Sequence, residues 1–225
     1  MLGRLEFIPG GRGKGEVTDL YGLPLLRVRA DPEGLFGERR LRRAGAALRR
    51  GGAVRTLLPA NFDRWELLER LGLRGVEPAP FLRAQAPVLA LEVLKRRDLD
   101  PGRATVALAG ARTDAELCRA AAALCPKVRS LVIDSPGGQR LAGQLREAFG
   151  IPVLPAAQPA QLALYFHPGV QERAEPLVEL YGRAPRLDGL RLAAPELAEE
   201  DREDLAVLCA LWERGRLDVH RLKFT

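Results

Sequence analysis

Long apolar runs, paired cysteines, lysines and aromatic rings are all scarce in this 225-residue sequence. No apolar stretch approaches the roughly 18 residues that a membrane-spanning helix needs. The opening Met1-Leu2-Gly3-Arg4-Leu5-Glu6 lacks the apolar core of a secretory signal, so the expected location is cytoplasmic, with no membrane as partner. The three cysteines, Cys118, Cys125 and Cys209, are odd in number and lack C-x-x-C spacing. That excludes a disulfide framework and predicts buried, small apolar residues. Only four of the 35 basic residues are lysine, and the arginine excess beside so much Ala, Gly and Leu is the mark of a GC-rich coding sequence. The net charge of +6 and pI near 9.7 therefore argue little for a nucleic-acid partner. Aromatics at 5% leave few stacking platforms for single strands. Of the two histidines, His220 has no Cys or second His at ligand spacing, so no metal site is expected.

What is present is ordinary globular material, 47% hydrophobic and 28% charged, long enough for one large or two small domains. Leu2 to Ile8 and Leu25 to Arg29 read as strands. Between them, Gly10-Gly11-Arg12-Gly13-Lys14-Gly15 reads as a flexible connection; it is not a Walker A loop, since Gly15 stands where Ser or Thr must follow the lysine. From Leu35 to Arg50 an apolar stripe of Leu41, Ala44 and Leu48 faces away from Arg39, Arg43 and Arg50, and Gly51-Gly52 ends the helix. Val54 to Leu58 suits a buried strand, and Asn61 can cap a helix through Leu71. Phe81 to Arg96 is helical in pattern, with Pro87 either a kink or the true start. Asp98-Leu99-Asp100-Pro101-Gly102 reads as a domain boundary, giving residues 1–99 and 100–225.

Beyond it strands and helices alternate: Thr105 to Ala109, Asp114 to Leu124, Val128 to Ile133, Pro136 to Phe149, Ile151 to Leu154, then Leu162 to Phe166. Leu177 to Tyr181 and Leu190 to Ala193 read as short strands, Glu199 to Arg214 as a long helix, and Val219 to Phe224 as a strand closing the sheet. Alternation of this length predicts a parallel sheet with right-handed crossovers. The expected class is α/β, a Rossmann-like parallel sheet in the C-terminal half with a smaller N-terminal α/β region.

The run Ala104 to Gly110, the helix after it, Ser130-Leu131-Val132-Ile133-Asp134 and Gln139 to Gly150 resemble the first βαβ of NAD(P)-binding domains of the shikimate-dehydrogenase-like kind. Ala160 to Gly169 is similar in position to a later strand and turn of such domains. The resemblance implies NAD or NADP as cofactor, with its pyrophosphate held behind a G-x-G-x-x-G turn where exposed N–H groups attract the anion. Gly110-Ala111-Arg112-Thr113-Asp114-Ala115 keeps only the first glycine, and Asp114 puts a negative charge where phosphate belongs. Asp134 is spaced like a ribose-binding carboxylate; the other reading is that Asp134 or Ser135 caps the following helix.

Open parallel sheets bind ligands outside the carboxyl ends of their strands, which selects Gly110, Arg112, Thr113, Asp134, Ser135, Gly137, Gly138 and His167. Arg112 and Thr113 can supply donors in place of the missing glycines. His167 is the candidate for proton transfer; the other reading is a turn histidine with no chemistry. The missing glycines favour a non-catalytic module that keeps the fold for a protein partner or self-association. An NAD(P)-dependent oxidoreductase or other nucleotide-binding enzyme, taking a small-molecule ligand, is the alternative. Nucleic-acid binding through the Arg39 to Arg50 face is a further one, set against the plainer reading of a solvated helix face.

Overall fold

The computed structural model describes residues 1–59, 62–170 and 176–225. The chain divides into two compact units, Met1–Val76 with Asp204–Val219, and Glu77–Glu203 with His220–Thr225. The Pro101-Gly102 break expected from sequence is a single 3₁₀ turn inside the second unit, because the helices before it pack on elements that follow it.

The first unit is built on a five-stranded sheet. β1 (Leu2–Phe7) lies between β3 (Leu23–Ala30) and β4 (Arg55–Leu57), parallel to both, and β5 (Arg74–Gly75) continues parallel beyond β4. β2 (Arg12–Leu20) pairs antiparallel with β3 and forms the opposite edge. The glycine-rich Gly10 to Gly15 stretch is therefore a correction: most of it is strand, since backbone pairing with β3 needs no side-chain propensity. Helix α1 (Gly37–Arg50) buries Leu41, Ala44 and Leu48, and α2 (Trp65–Arg70) buries Leu68. Both join Leu5, Leu26 and Val28 from the sheet in one apolar cluster. Each such fully buried Leu or Val contributes about 1.5–3 kcal/mol relative to an exposed one. Phe62 packs edge-on to Trp65 at 5.2 Å. Asn61, read as a cap, lies outside the described residues; α2 starts later, after Arg64.

In the second unit α3 (Ala79–Ala84) and α4 (Ala86–Arg96) replace the single helix expected over Phe81 to Arg96. Pro87 falls in the first turn of α4, where its missing N–H costs nothing, so it marks a start and not a kink. Five strands then form a wholly parallel sheet: β6 (Thr105–Ala109), β7 (Ser130–Asp134), β8 (Val153–Leu154), β9 (Leu162–Tyr165) and β10 (Leu177–Glu179). Helix α5 (Ala115–Leu124) links β6 to β7 and α6 (Gly138–Phe149) links β7 to β8. The spatial order β8-β7-β6-β9-β10 matches five strands of the 3-2-1-4-5-6 order of dinucleotide-binding sheets, with the winding reversing between β6 and β9. All five residues of β6 are buried, as a central strand covered on both faces requires. The Rossmann-like α/β reading of this half holds.

The last segments depart from expectation. β11 (Leu192–Ala193) pairs antiparallel with β12 (Lys223–Phe224) in a separate two-stranded sheet, so the C-terminal strand does not close the parallel one. Between them α7 (Leu205–Glu213) is shorter than the Glu199 to Arg214 helix expected. Asp204 sets its later start by capping: its Oδ1 accepts the Ala206 and Val207 N–H groups at 2.8 and 3.2 Å. Val207 through Leu211 are all buried, and α7 belongs to the first unit, where Glu213 forms a bidentate ion pair with Arg55.

No described helix is long and apolar enough to cross a membrane. Cys125 and Cys209 are buried and Cys118 is partly so. Burial, aided by the charge of Asp114, pushes the Cys118 thiol up, and burial does the same for Cys125. Iodoacetamide at neutral pH should therefore modify Cys118 alone in the folded protein, and slowly, with the other two reacting only after denaturation; peptide mass spectrometry reads the pattern.

Candidate functional site

An open cleft of ≈ 990 Å³ lies at the carboxyl ends of the parallel strands. Its walls come from the turn after β6 (Gly110, Ala111), the β7–α6 turn (Asp134 to Gln139), the inward face of α6 (Ala142, Arg146), the segment after β8 and the turn after β9 (Gly169, Val170). Five of the residues selected from sequence meet there: Gly110, Asp134, Ser135, Gly137 and Gly138.

Two of these glycines are required by close approach. A Cβ on Gly138 would sit 2.7 Å from Ile133 Cγ2 and 3.3 Å from Ser135 Oγ. A Cβ on Gly110 would sit 2.9 Å from His167 Nδ1. Gly137 begins α6 with φ +79° and no side chain caps that helix, so neither Asp134 nor Ser135 fills the capping role. Ser135 is committed elsewhere. Thr113 Oγ1 donates to the Pro136 carbonyl at 2.8 Å, which leaves the 2.7 Å contact between the two hydroxyls to be donated by Ser135. This pair latches the β6–α5 turn to the β7–α6 turn.

Thr113, Arg112 and His167 do not line the cleft. Arg112 is largely exposed, its Nε 3.7 Å from Asp114 Oδ2. His167 is 7% exposed and stands against Gly110, its Nε2 3.0 Å from Asp114 Oδ2. That approach lacks the geometry of a directed hydrogen bond, and neither ring nitrogen has a hydrogen-bond partner among the described residues. Asp114 itself is the N-cap of α5, its Oδ1 accepting the Leu117 N–H at 3.0 Å. Burial opposes its ionisation, but the Leu117 N–H and the charges of His167 and Arg83 outweigh burial and hold the carboxyl below its ordinary range. The residue that looked intrusive in sequence is thus the one that caps the start of α5.

Arg83, on α3, went unnoticed in the sequence. It is 17% exposed and makes three contacts, with Nη1 donating to Glu116 Oε2 at 2.9 Å, Nη2 to the Phe166 carbonyl at 2.6 Å and Nε to the Leu180 carbonyl at 3.2 Å. It ties α5 to the ends of β9 and β10, one residue before His167. Arg146 and Gln139 were missed as well, although Gly138, Ala142 and Arg146 stand at i, i+4 and i+8 and so share one helix face.

No family model matches the sequence, and no curated protein matches it. Among solved structures the chain is similar to L-tryptophan dehydrogenase from Nostoc punctiforme, at 14% identity and a TM-score of 0.30, over 73% of this chain. It spans 54% of that enzyme's length. The Rossmann-like character of the second unit rests on its own strand order and register. The described residues contain no group of three or more His, Cys, Asp or Glu able to hold a metal ion.

Proposed function

We propose that the second unit is a degenerate dinucleotide-binding fold that keeps a ligand cleft and takes a nucleoside-containing small molecule, without a catalytic group of its own in that cleft. The observation that carries this reading is the relocation of the open space. In a dinucleotide-binding domain the pyrophosphate rests on the first helix N-terminus. Here the Asp114 carboxylate occupies that terminus, while the space lies over the second turn, against Gly137 and Gly138. Asp134 supplies a carboxylate for a ribose diol, the uncapped start of α6 receives one phosphate, and Arg146 adds the positive charge. In this reading Arg112 and Thr113 serve the turn and not the ligand, and His167 is a positioning residue that holds Asp114 and backs Gly110.

Thermal shift against adenosine, AMP, NAD, NADP and S-adenosylmethionine tests it. A mononucleotide should raise the midpoint at least as far as NAD does, because the turn that would hold the second phosphate is taken. Saturation at about 100 times Kd corresponds to about 2.7 kcal/mol. Asp134→Asn should weaken the shift, and Gly138→Val should remove it. Absence of any shift at millimolar ligand sinks the proposal.

The oxidoreductase reading keeps one observation in its favour, the unpartnered Nδ1 of His167 beneath the cleft wall. It requires hydride transfer with NAD or NADP that His167→Gln abolishes while nucleotide binding stays intact.

A further inference from the structure

The Gly10 to Gly15 stretch of the first unit has no part in the cleft of the second, and its geometry points to a site of its own. β2 slips in register against β3: Arg12 stands opposite Ala30 but Gly15 opposite Val28, so β2 carries one extra residue there. Such a bulge re-aims side chains. Gly13 takes φ +74° at this point, and a Cβ on it would lie 3.2 Å from the Ala44 backbone nitrogen. The result is a recess of ≈ 290 Å³ lined by Arg12, Lys14 and Glu16 of β2 and by Arg27 and Arg29 of β3.

The charge in this recess does not balance. Glu6 of β1 is shared among Arg27 at 3.1 Å, Arg29 at 3.3 Å and Arg4 at 3.7 Å. One carboxylate cannot neutralise both β3 guanidiniums of the recess, and neither Arg12 nor Lys14 makes an ion pair among the described residues. Glu16 is the one acid among the described residues that line the recess, against four basic side chains. Edge-strand protection accounts for charge on β2, where Arg12 and Lys14 discourage pairing with another chain. It does not account for Arg27 and Arg29, which sit on an interior strand.

We propose that this recess binds the phosphate or diphosphate group of a small phosphorylated molecule, held by Arg12, Lys14, Arg27 and Arg29, with Glu6 splaying the β3 arginines. Guanidinium forks match tetrahedral oxyanions in bidentate fashion, and Lys14 adds a point charge. The lysine is not followed by Ser or Thr, so the mode differs from that of a Walker A loop, whose hydroxyl holds the metal. The basic surface is short: Glu16, Val17 and Asp19 follow along β2, which favours a compact anion over a nucleic-acid backbone.

The experiment is calorimetric titration of the whole protein with inorganic pyrophosphate at low salt, with ³¹P line broadening as a second readout. Saturable binding that weakens with added salt is expected, and Arg12→Gln with Lys14→Gln should reduce affinity by on the order of tenfold or more. Both side chains are exposed, so the circular dichroism melt should not move; Arg29→Gln, a separate single change, should also lower affinity and serves if the double variant misfolds. Three outcomes overturn the proposal. They are no saturable binding at millimolar pyrophosphate, undiminished binding in the variants, which would send the anion elsewhere, and an oligonucleotide binding far more tightly than pyrophosphate with a steep salt slope.

Discussion

Arg83→Met should lower the thermal midpoint by about 6–12 °C, which for a chain of this size corresponds to a loss of about 3 kcal/mol. The side chain is mostly buried, and its removal strands two carbonyls, those of Phe166 and Leu180, together with the Glu116 carboxylate. A buried acceptor left without a donor costs about 1–3 kcal/mol, and a carboxylate that loses its partner costs more than a neutral group. Methionine keeps most of the aliphatic volume, so the loss reports the polar contacts and not a cavity. Glu116→Gln in the same background should cost little further, because its partner is already gone; calorimetric melts of the two single variants and the double variant measure that shared energy. Fully additive losses would show that Arg83 and Glu116 do not act together.

The second large effect falls on Asp114. Replacement by alanine should cost about 1–2 kcal/mol through the cap alone, with a further loss from the contact to His167. Replacement by asparagine keeps an acceptor for the Leu117 N–H and so isolates the charge. The folded carboxyl lies below its ordinary range, so more protons bind to the unfolded chain than to the folded one as pH falls. The stabilisation is accordingly full above the unfolded carboxylate pKa of about 3.9 and disappears as pH drops through the lowered folded value. Denaturant titrations of wild type and Asp114→Asn should differ at about pH 5 and converge in acid. A difference that widened in acid would mean that Asp114 is not held ionised by its surroundings.

The parallel sheet was legible because the signals for it are local. Continuous apolar runs such as Val106-Ala107-Leu108-Ala109 and Leu131-Val132-Ile133, separated by helices of one crossover length, leave few other arrangements. The glycines at 110, 137 and 138 were legible for the same reason, since turns after strands at the carboxyl edge fall where the fold places ligands. What escaped depends on chain segments far apart in sequence. Arg83 acts on Phe166 and Leu180, 83 and 97 residues away, and no local pattern marks it. β2 escaped because Gly, Lys and Glu carry no strand propensity and the pairing energy resides in backbone bonds to β3. Asp114 was read as an obstacle because the expectation placed a phosphate where a helix needed a cap. A negative charge at the helix start serves in both cases; only its source differs.

Because the first unit holds both Met1–Val76 and Asp204–Val219, its assembly is constrained by the order of synthesis. The segment carrying Glu213, the partner of Arg55, leaves the ribosome only after all of residues 77–203. Vectorial emergence thus lets the later-made parallel sheet mature ahead of the earlier-made mixed one. During that interval the nascent amino-terminal strands wait without their apolar helix, the stage at which a holdase would find them.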